Sequence, residues 1–123
     1  MIDLILIGFG GSMGAVLRFT LTKKIGERYQ GDWPLATFLI NLIGSFGLGL
    51  LYGLKLNQVI WLLLGTGFFG GFTTFSTYIY EAIFLMEKGL FWKNVNYLLT
   101  SIFTGVVFFA AGMGLANFFE GGV

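Results

Sequence analysis

The sequence has 123 residues, 56% of them hydrophobic, 19% aromatic and only 11% charged, with a formal net charge of +1. An average soluble domain carries roughly 25% charged residues, so a chain this small and apolar would expose most of its Phe and Leu to water; a soluble globule and a disordered chain are both excluded. With no Cys and no His, disulfides, thiolate metal sites, Cys nucleophiles and His-based catalysis are excluded as well, and the near-neutral charge gives no basis for a nucleic-acid partner.

The charges cut the chain into four membrane spans. None lies between Asp32 and Lys55, between Lys55 and Glu81, or between Lys93 and Glu120, gaps of about 22, 25 and 26 residues. A hydrocarbon core of about 30 Å takes about 20 helical residues, so each gap holds one span. The segment before them is a fourth, with Asp3 near its start and Arg18 near its end, the latter free to snorkel outward or to face protein. This segment lacks the basic start and cleavage site of a signal peptide and is read as structure. The expected fold class is an all-α membrane protein, one transmembrane domain over residues 1–123. Its helices fall at approximately 2–24, 33–54, 57–86 (broken near 70–74) and 92–119. The runs are continuous and long, which argues for helices over a barrel.

Local signals mark the ends. Trp33, Trp61 and Trp92 each sit near the start of a span, where indoles favour the headgroup zone. Pro34 suits the first turn of the second helix. The polar stretch 23–32 connects the first two helices, and the short connection 53–57 implies an antiparallel hairpin of the second and third. Four helices put both termini on one side. The other side carries Lys23, Lys24, Arg28, Lys88 and Lys93, against Lys55 alone on the terminal side. The positive-inside rule then places the first and third loops in the cytoplasm.

Small residues recur inside the spans, and Gly10/Gly14 and Gly49/Gly53 are GxxxG pairs suited to close helix packing. Asn41 lies in the middle of the second span, with Thr37 and Ser45 one turn away on the same face. A buried amide needs partners, so it either bonds a neighbouring helix or lines a polar path. The third span contains Gly65-Thr66-Gly67-Phe68-Phe69-Gly70-Gly71-Phe72-Thr73-Thr74, in which Gly-Gly followed by two β-branched Thr is poor helix material. An interruption is expected near residues 70–74. It is either a kink satisfied by Thr hydroxyls or a true break whose exposed carbonyls can hold a cation.

Just beyond it, Phe75 and Tyr78 share a helical face. Aromatic edges are positive, so these rings either pack a core or guide an anion. Glu81, one turn further, is an interfacial charge or a pore-mouth acid. In the fourth span Tyr97, Ser101 and Gly105 are spaced by four, with Thr100 and Thr104 nearby. This hydroxyl stripe bonds neighbouring helices or lines an ion path. No acid–base pair lies within a span and no phosphate loop is present, so an enzyme is not expected.

Three blocks, Gly14-Ala15-x-x-Arg18, Asn41-x-x-Gly44-Ser45 and Gly70-Gly71-Phe72-Thr73-Thr74-Phe75-Ser76-Thr77, resemble the signatures of the Fluc (CrcB) fluoride channels, and the similarity runs over essentially the whole chain. The resemblance implies an antiparallel dual-topology-type dimer in the bacterial plasma membrane. Its two pores let fluoride leave the cytoplasm passively and relieve fluoride toxicity. It implies a structural Na+ at the dimer centre, held by the Gly70 and Thr73 carbonyls of both subunits. It implies a fluoride pore of Asn41, Thr37, Phe75, Tyr78, Tyr97, Ser101 and Thr104 or Gly105, with Glu81 as a nearby acid. Arg18 belongs to the first signature block. The implied partners are fluoride, membrane lipid and a second subunit, with no nucleic acid.

Tyr78 departs from the family's usual Phe, and its hydroxyl can block or rewire the path. The one-sided cationic loops also favour a single orientation, so the partner is either a second copy or an oppositely oriented paralogue. A small four-helix proton-coupled multidrug or cation exporter is the competing expectation. It needs a membrane-embedded acid, whereas Asp3 lies near the terminus and Glu81 near a span end. A non-transporting accessory subunit is a third reading.

Overall fold

The structure is a computed structural model that describes residues 1–121. Four helical passes are long and apolar enough to cross a bilayer: Ile2–Arg28, Leu35–Leu54, Gln58–Glu87 and Phe91–Glu120. Helix α1 is Ile2–Arg28 and α2 is Leu35–Leu54. The third pass opens with one turn, α3 (Gln58–Ile60), widens into a π-helical stretch, π1 (Trp61–Phe69), and regains a short turn, α4 (Gly70–Phe72). After Thr73–Phe75 it resumes as α5 (Ser76–Glu87), and α6 (Phe91–Gly121) is the fourth pass.

Several boundaries differ from expectation. Helix α1 continues through the polar residues to Arg28, because the one weak helix former there, Gly26, is flanked by residues that sustain the helix; the connection to α2 is confined to residues 29–34. Pro34 precedes the first turn of α2 instead of entering it. The non-helical residues in the third pass are Thr73–Phe75, whereas Gly70 and Gly71 remain helical. The π stretch has no counterpart in the sequence reading. Gly65 and Gly67 sit where the helix widens, and the Gly70 N–H donates to both their carbonyls.

Each pass packs where side chains are smallest. The most extensive interface is α2 on α6, followed by α1 on π1. The short α2–α3 connection therefore does not make those neighbours the main partners. A Cβ on Gly10 would meet the Leu63 carbonyl, and one on Gly14 the Phe68 carbonyl. Gly49 stands in the same relation to the Phe109 carbonyl of α6. At these positions backbones approach as in the GxxxG arrangement of membrane helices. The long apolar side chains left exposed on α1 and α6, such as Phe9, Phe19, Phe103 and Phe118, suit a lipid-facing surface.

The first and third connections meet at one end. Asp32 pairs with Lys88 at 3.1 Å and Lys93 at 3.7 Å, and the Trp33 indole N–H donates to Asn96 at 3.0 Å. The hydrogen bond and charge of Lys88 hold the Asp32 carboxyl below its ordinary range, with Lys93 adding to the effect. A carboxylate whose pKa falls on folding stabilises the fold above its unfolded value, about 3.9, and loses that contribution as pH drops through the folded value. Thermal unfolding of Asp32→Asn is therefore expected to depend less on pH below about pH 4 than that of the parent chain. Superimposable pH profiles would remove the cluster from the stability of this end. Because all three groups are exposed, the effect is small and weakens in high salt.

Candidate functional site

The interruption of the third pass is held from two sides. On one, Asn41 of α2 grips the main chain of Thr74: its Nδ2 donates to the Thr74 carbonyl and its Oδ1 accepts from the Thr74 N–H, both at 2.9 Å. On the other, Arg18 of α1 donates from Nε to the Gly71 carbonyl at 3.0 Å. Thr73 folds its hydroxyl back onto the Phe69 carbonyl at 2.8 Å, and Thr74 Oγ1 accepts from the Thr77 N–H at 3.2 Å to start α5. A contact from α2 explains the break: with the Thr74 N–H engaged by Asn41, the bond that would continue the helix to Gly70 is not made. Gly44 lets this segment lie close to α2, since a Cβ there would overlap the Thr73 methyl.

An unpartnered carbonyl is costly at membrane depth. The carbonyls of Phe69, Gly71, Thr74 and Phe75 all receive hydrogen bonds. Among the described residues none donates to those of Gly70, Phe72 or Thr73. Also among the described residues, no group of three or more Asp, Glu, His or Cys is placed to hold a metal. A cation here would be held by peptide oxygens, the ligands that suit a hard ion, and the undonated Gly70, Phe72 and Thr73 carbonyls are oxygens of that kind.

Beside the break, α2, α5 and α6 enclose an open-sided cavity of about 350 Å³ lined by Asn41, Ser45, Thr74, Phe75, Tyr78 and Ser101. Ser45 and Ser101 also line an adjoining cavity of about 410 Å³ that reaches Gly105. Ser101 lines both, with its hydroxyl buried and without a hydrogen-bond partner, a donor that reaches the cavity by rotation of the side chain. Phe75 is 75% exposed, whereas Tyr78, its ring centre 6.0 Å away at a 43° tilt, is buried. The Tyr78 hydroxyl leaves the cavity and donates to the Leu98 carbonyl at 2.9 Å.

The cavity thus brings together Asn41, Phe75, Tyr78 and Ser101, and the adjoining one takes in Gly105. Three other expected residues stand apart. Tyr97 is fully buried against Tyr78 and Trp33, and its hydroxyl donates to Glu81 Oε1 at 3.2 Å. Thr37 is buried one turn below Asn41, bordering Glu81 and Tyr97. The Thr104 hydroxyl donates to the Thr100 carbonyl of its own helix at 2.6 Å. Spacing by four gives a common face, but not whether a hydroxyl turns inward along its own helix. Glu81 lines a separate cavity of about 290 Å³ with Tyr29, Asp32 and Trp33, at the end where the first and third connections meet.

Thr74 is the residue that the sequence reading passed over. It stood in a signature block, but its part is played by main-chain N–H and C=O groups, which leave no mark on side-chain pattern. The signal was the pairing of a mid-span amide with a helix-breaking dipeptide. Such an amide needs two unsatisfied peptide groups, and a broken helix supplies them.

Comparison with known proteins shows the family to which the chain is similar. Residues 5–113 match the family described as CrcB-like protein, Camphor Resistance (CrcB). The chain is 91% identical over 123 residues, all of both chains, to the Fluoride-specific ion channel FluC 1 of Carboxydothermus hydrogenoformans. It is 36% identical to the Fluoride-specific ion channel FluC of Chloroflexus aurantiacus, over 97% of this chain and 98% of that one. It is 40% identical to the Fluoride-specific ion channel FluC 1 of Listeria innocua, over 94% and 96% respectively.

Proposed function

The chain belongs to the CrcB family of multi-pass membrane proteins, and from that premise we propose that it is a fluoride channel whose open-sided cavity becomes a pore when a second subunit covers it. The observation that carries the reading is the cavity beside the break, where an exposed Phe75 edge, the Asn41 amide and the unpartnered Ser101 hydroxyl converge. Fluoride is small and strongly hydrated, so a selective path must replace water with donors. Ser101 offers a free hydroxyl, and Asn41 offers the amide hydrogen not used on Thr74. The Phe75 and Tyr78 edges contribute positive quadrupole without the full charge that would trap the ion.

The partner is a second subunit in the antiparallel sense, giving two pores per dimer, with fluoride flowing passively out of the cytoplasm. Na+ at the dimer centre would sit on the Gly70 and Thr73 carbonyls of both chains and supply a fixed positive charge that holds the breaks together. Five of the seven cationic side chains lie on one side by topology, which favours one orientation and hence an oppositely oriented paralogue as partner over a second copy. Single-cysteine variants in the first loop should then be labelled from one side of intact cells; equal labelling from both sides favours a dimer of identical chains.

Vesicles loaded with potassium fluoride provide the test. Efflux followed with a fluoride electrode should begin when valinomycin balances the charge and should persist when a protonophore collapses any pH gradient. Fluoride retained after valinomycin is added, together with proton-driven uptake of a quaternary ammonium cation by the same vesicles, would instead identify a proton-coupled cation exporter.

Tyr78→Phe separates ring from hydroxyl. Loss of the bond to Leu98 should cost about 1 kcal/mol of stability, while the ring edge stays and efflux remains within about threefold. A tenfold fall in efflux would place the hydroxyl in the ion path.

A further inference from the structure

We propose that Arg18 and Asn41 are positioning residues that fix the break in the third pass from opposite sides, and thereby decide which peptide oxygens remain free at it. The proposal rests on the order of donors along the segment. Arg18 Nε occupies the Gly71 carbonyl, Asn41 Nδ2 occupies the Thr74 carbonyl, and Thr73 N–H and Oγ1 occupy Phe69. Between these anchors lie Gly70, Phe72 and Thr73, whose carbonyls receive no donor among the described residues. The Asn41 amide pairs with both the N–H and the C=O of Thr74, as a neighbouring strand would pair with one residue of an extended chain. Thr73, the residue before it, is already extended, with φ −78° and ψ 159°. Arg18 works from α1, where the close approach at Gly14 brings that helix against Phe68 and Phe72. Neither anchor belongs to the third pass, so the shape of the break is set by its two neighbours.

The role differs from that of an ion-contacting donor and deepens the reading proposed above; its first test is independent of that reading. Hydrogen exchange at single amides, followed by NMR on 15N-labelled protein in micelles, needs neither fluoride nor Na+. The Thr74 N–H should be protected in the parent chain and exchange at least about tenfold faster in Asn41→Ala, because its only acceptor is removed. The Ile79 N–H, bonded to the Phe75 carbonyl at 3.0 Å, serves as an internal control and should change by less than about twofold. An unchanged Thr74 rate overturns the proposal. Acceleration at both amides also overturns it, since Asn41 would then support the whole fold instead of the break.

A second measurement addresses the free carbonyls. The Na+ concentration needed to keep the dimer intact in detergent should rise at least about tenfold in Arg18→Gln and in Asn41→Ala. An unchanged requirement in both variants contradicts the positioning role. A parent dimer indifferent to Na+ would refute the Na+ assignment above, and amide exchange in Asn41→Ala and in Arg18→Gln would then decide the role of each anchor, an unchanged Thr74 rate overturning it.

Discussion

Asn41→Asp should reduce fluoride efflux from vesicles by about a thousandfold while the protein still folds as a membrane helix bundle. The substitution keeps the size of the side chain and the oxygen that accepts from the Thr74 N–H, but removes the Nδ2 donor to the Thr74 carbonyl. It also sets a carboxylate in the wall of the cavity. Two like charges at about 4 Å with an effective dielectric constant near 20 repel by about 4 kcal/mol, equivalent to about three powers of ten in occupancy. Phe75→Ile should act in the same direction by a different route, removing the only strongly exposed ring at the break while preserving bulk. Efflux unchanged in either variant would remove that residue from the path.

Substituting alanine for two glycines of α1 should move stability in opposite directions. At Gly14 a Cβ would run into the Phe68 carbonyl and lie 2.8 Å from the Phe72 N. Both obstacles are backbone and cannot rotate away. The helices must separate, which costs about 2–3 kcal/mol in a well-packed interface and pulls Arg18 from the Gly71 carbonyl. At Gly8 nothing lies within 4 Å of the added carbon, so Gly8→Ala should gain about 0.5–1 kcal/mol from the lower entropy of the unfolded chain. Thermal unfolding in detergent, read by the loss of the folded peak in size-exclusion chromatography, distinguishes the two. Equal losses at both positions would mean that the close approach of α1 to the third pass is not what makes Gly14 necessary.

The spans were legible because the signal that defines them is coarse. Runs of apolar residues between charges set four passes to within a few residues, and Asp32, Lys88 and Lys93 then meet at the end to which topology assigned them. The detail inside the third pass was less legible. Gly70-Gly71 looked like the weak point by propensity, but both residues are helical, and α1 packs tightly against Gly71, where a Cβ would run into Gly11. The chain departs from helix three residues later, where Asn41 offers an alternative to the next helical bond. The π widening is likewise a tertiary effect.

Among the expected site residues, those whose partners are main chain or solvent-facing space (Asn41, Phe75, Ser101) gather at one cavity. Tyr97 and Thr104 shared the right helical faces but are engaged elsewhere, with Glu81 or with their own helix, and Thr37 is buried away from the cavity. Periodicity assigns a face; it cannot assign the direction of a hydroxyl.

The most direct measurement is the reversal potential of the reconstituted protein in a planar bilayer, with fluoride on one side and an equal concentration of chloride on the other. A cavity lined by ring edges, one amide and one free hydroxyl should pass only the smaller halide, so the potential should be set by fluoride alone. A reversal potential near zero, meaning that both halides cross equally well, would contradict it.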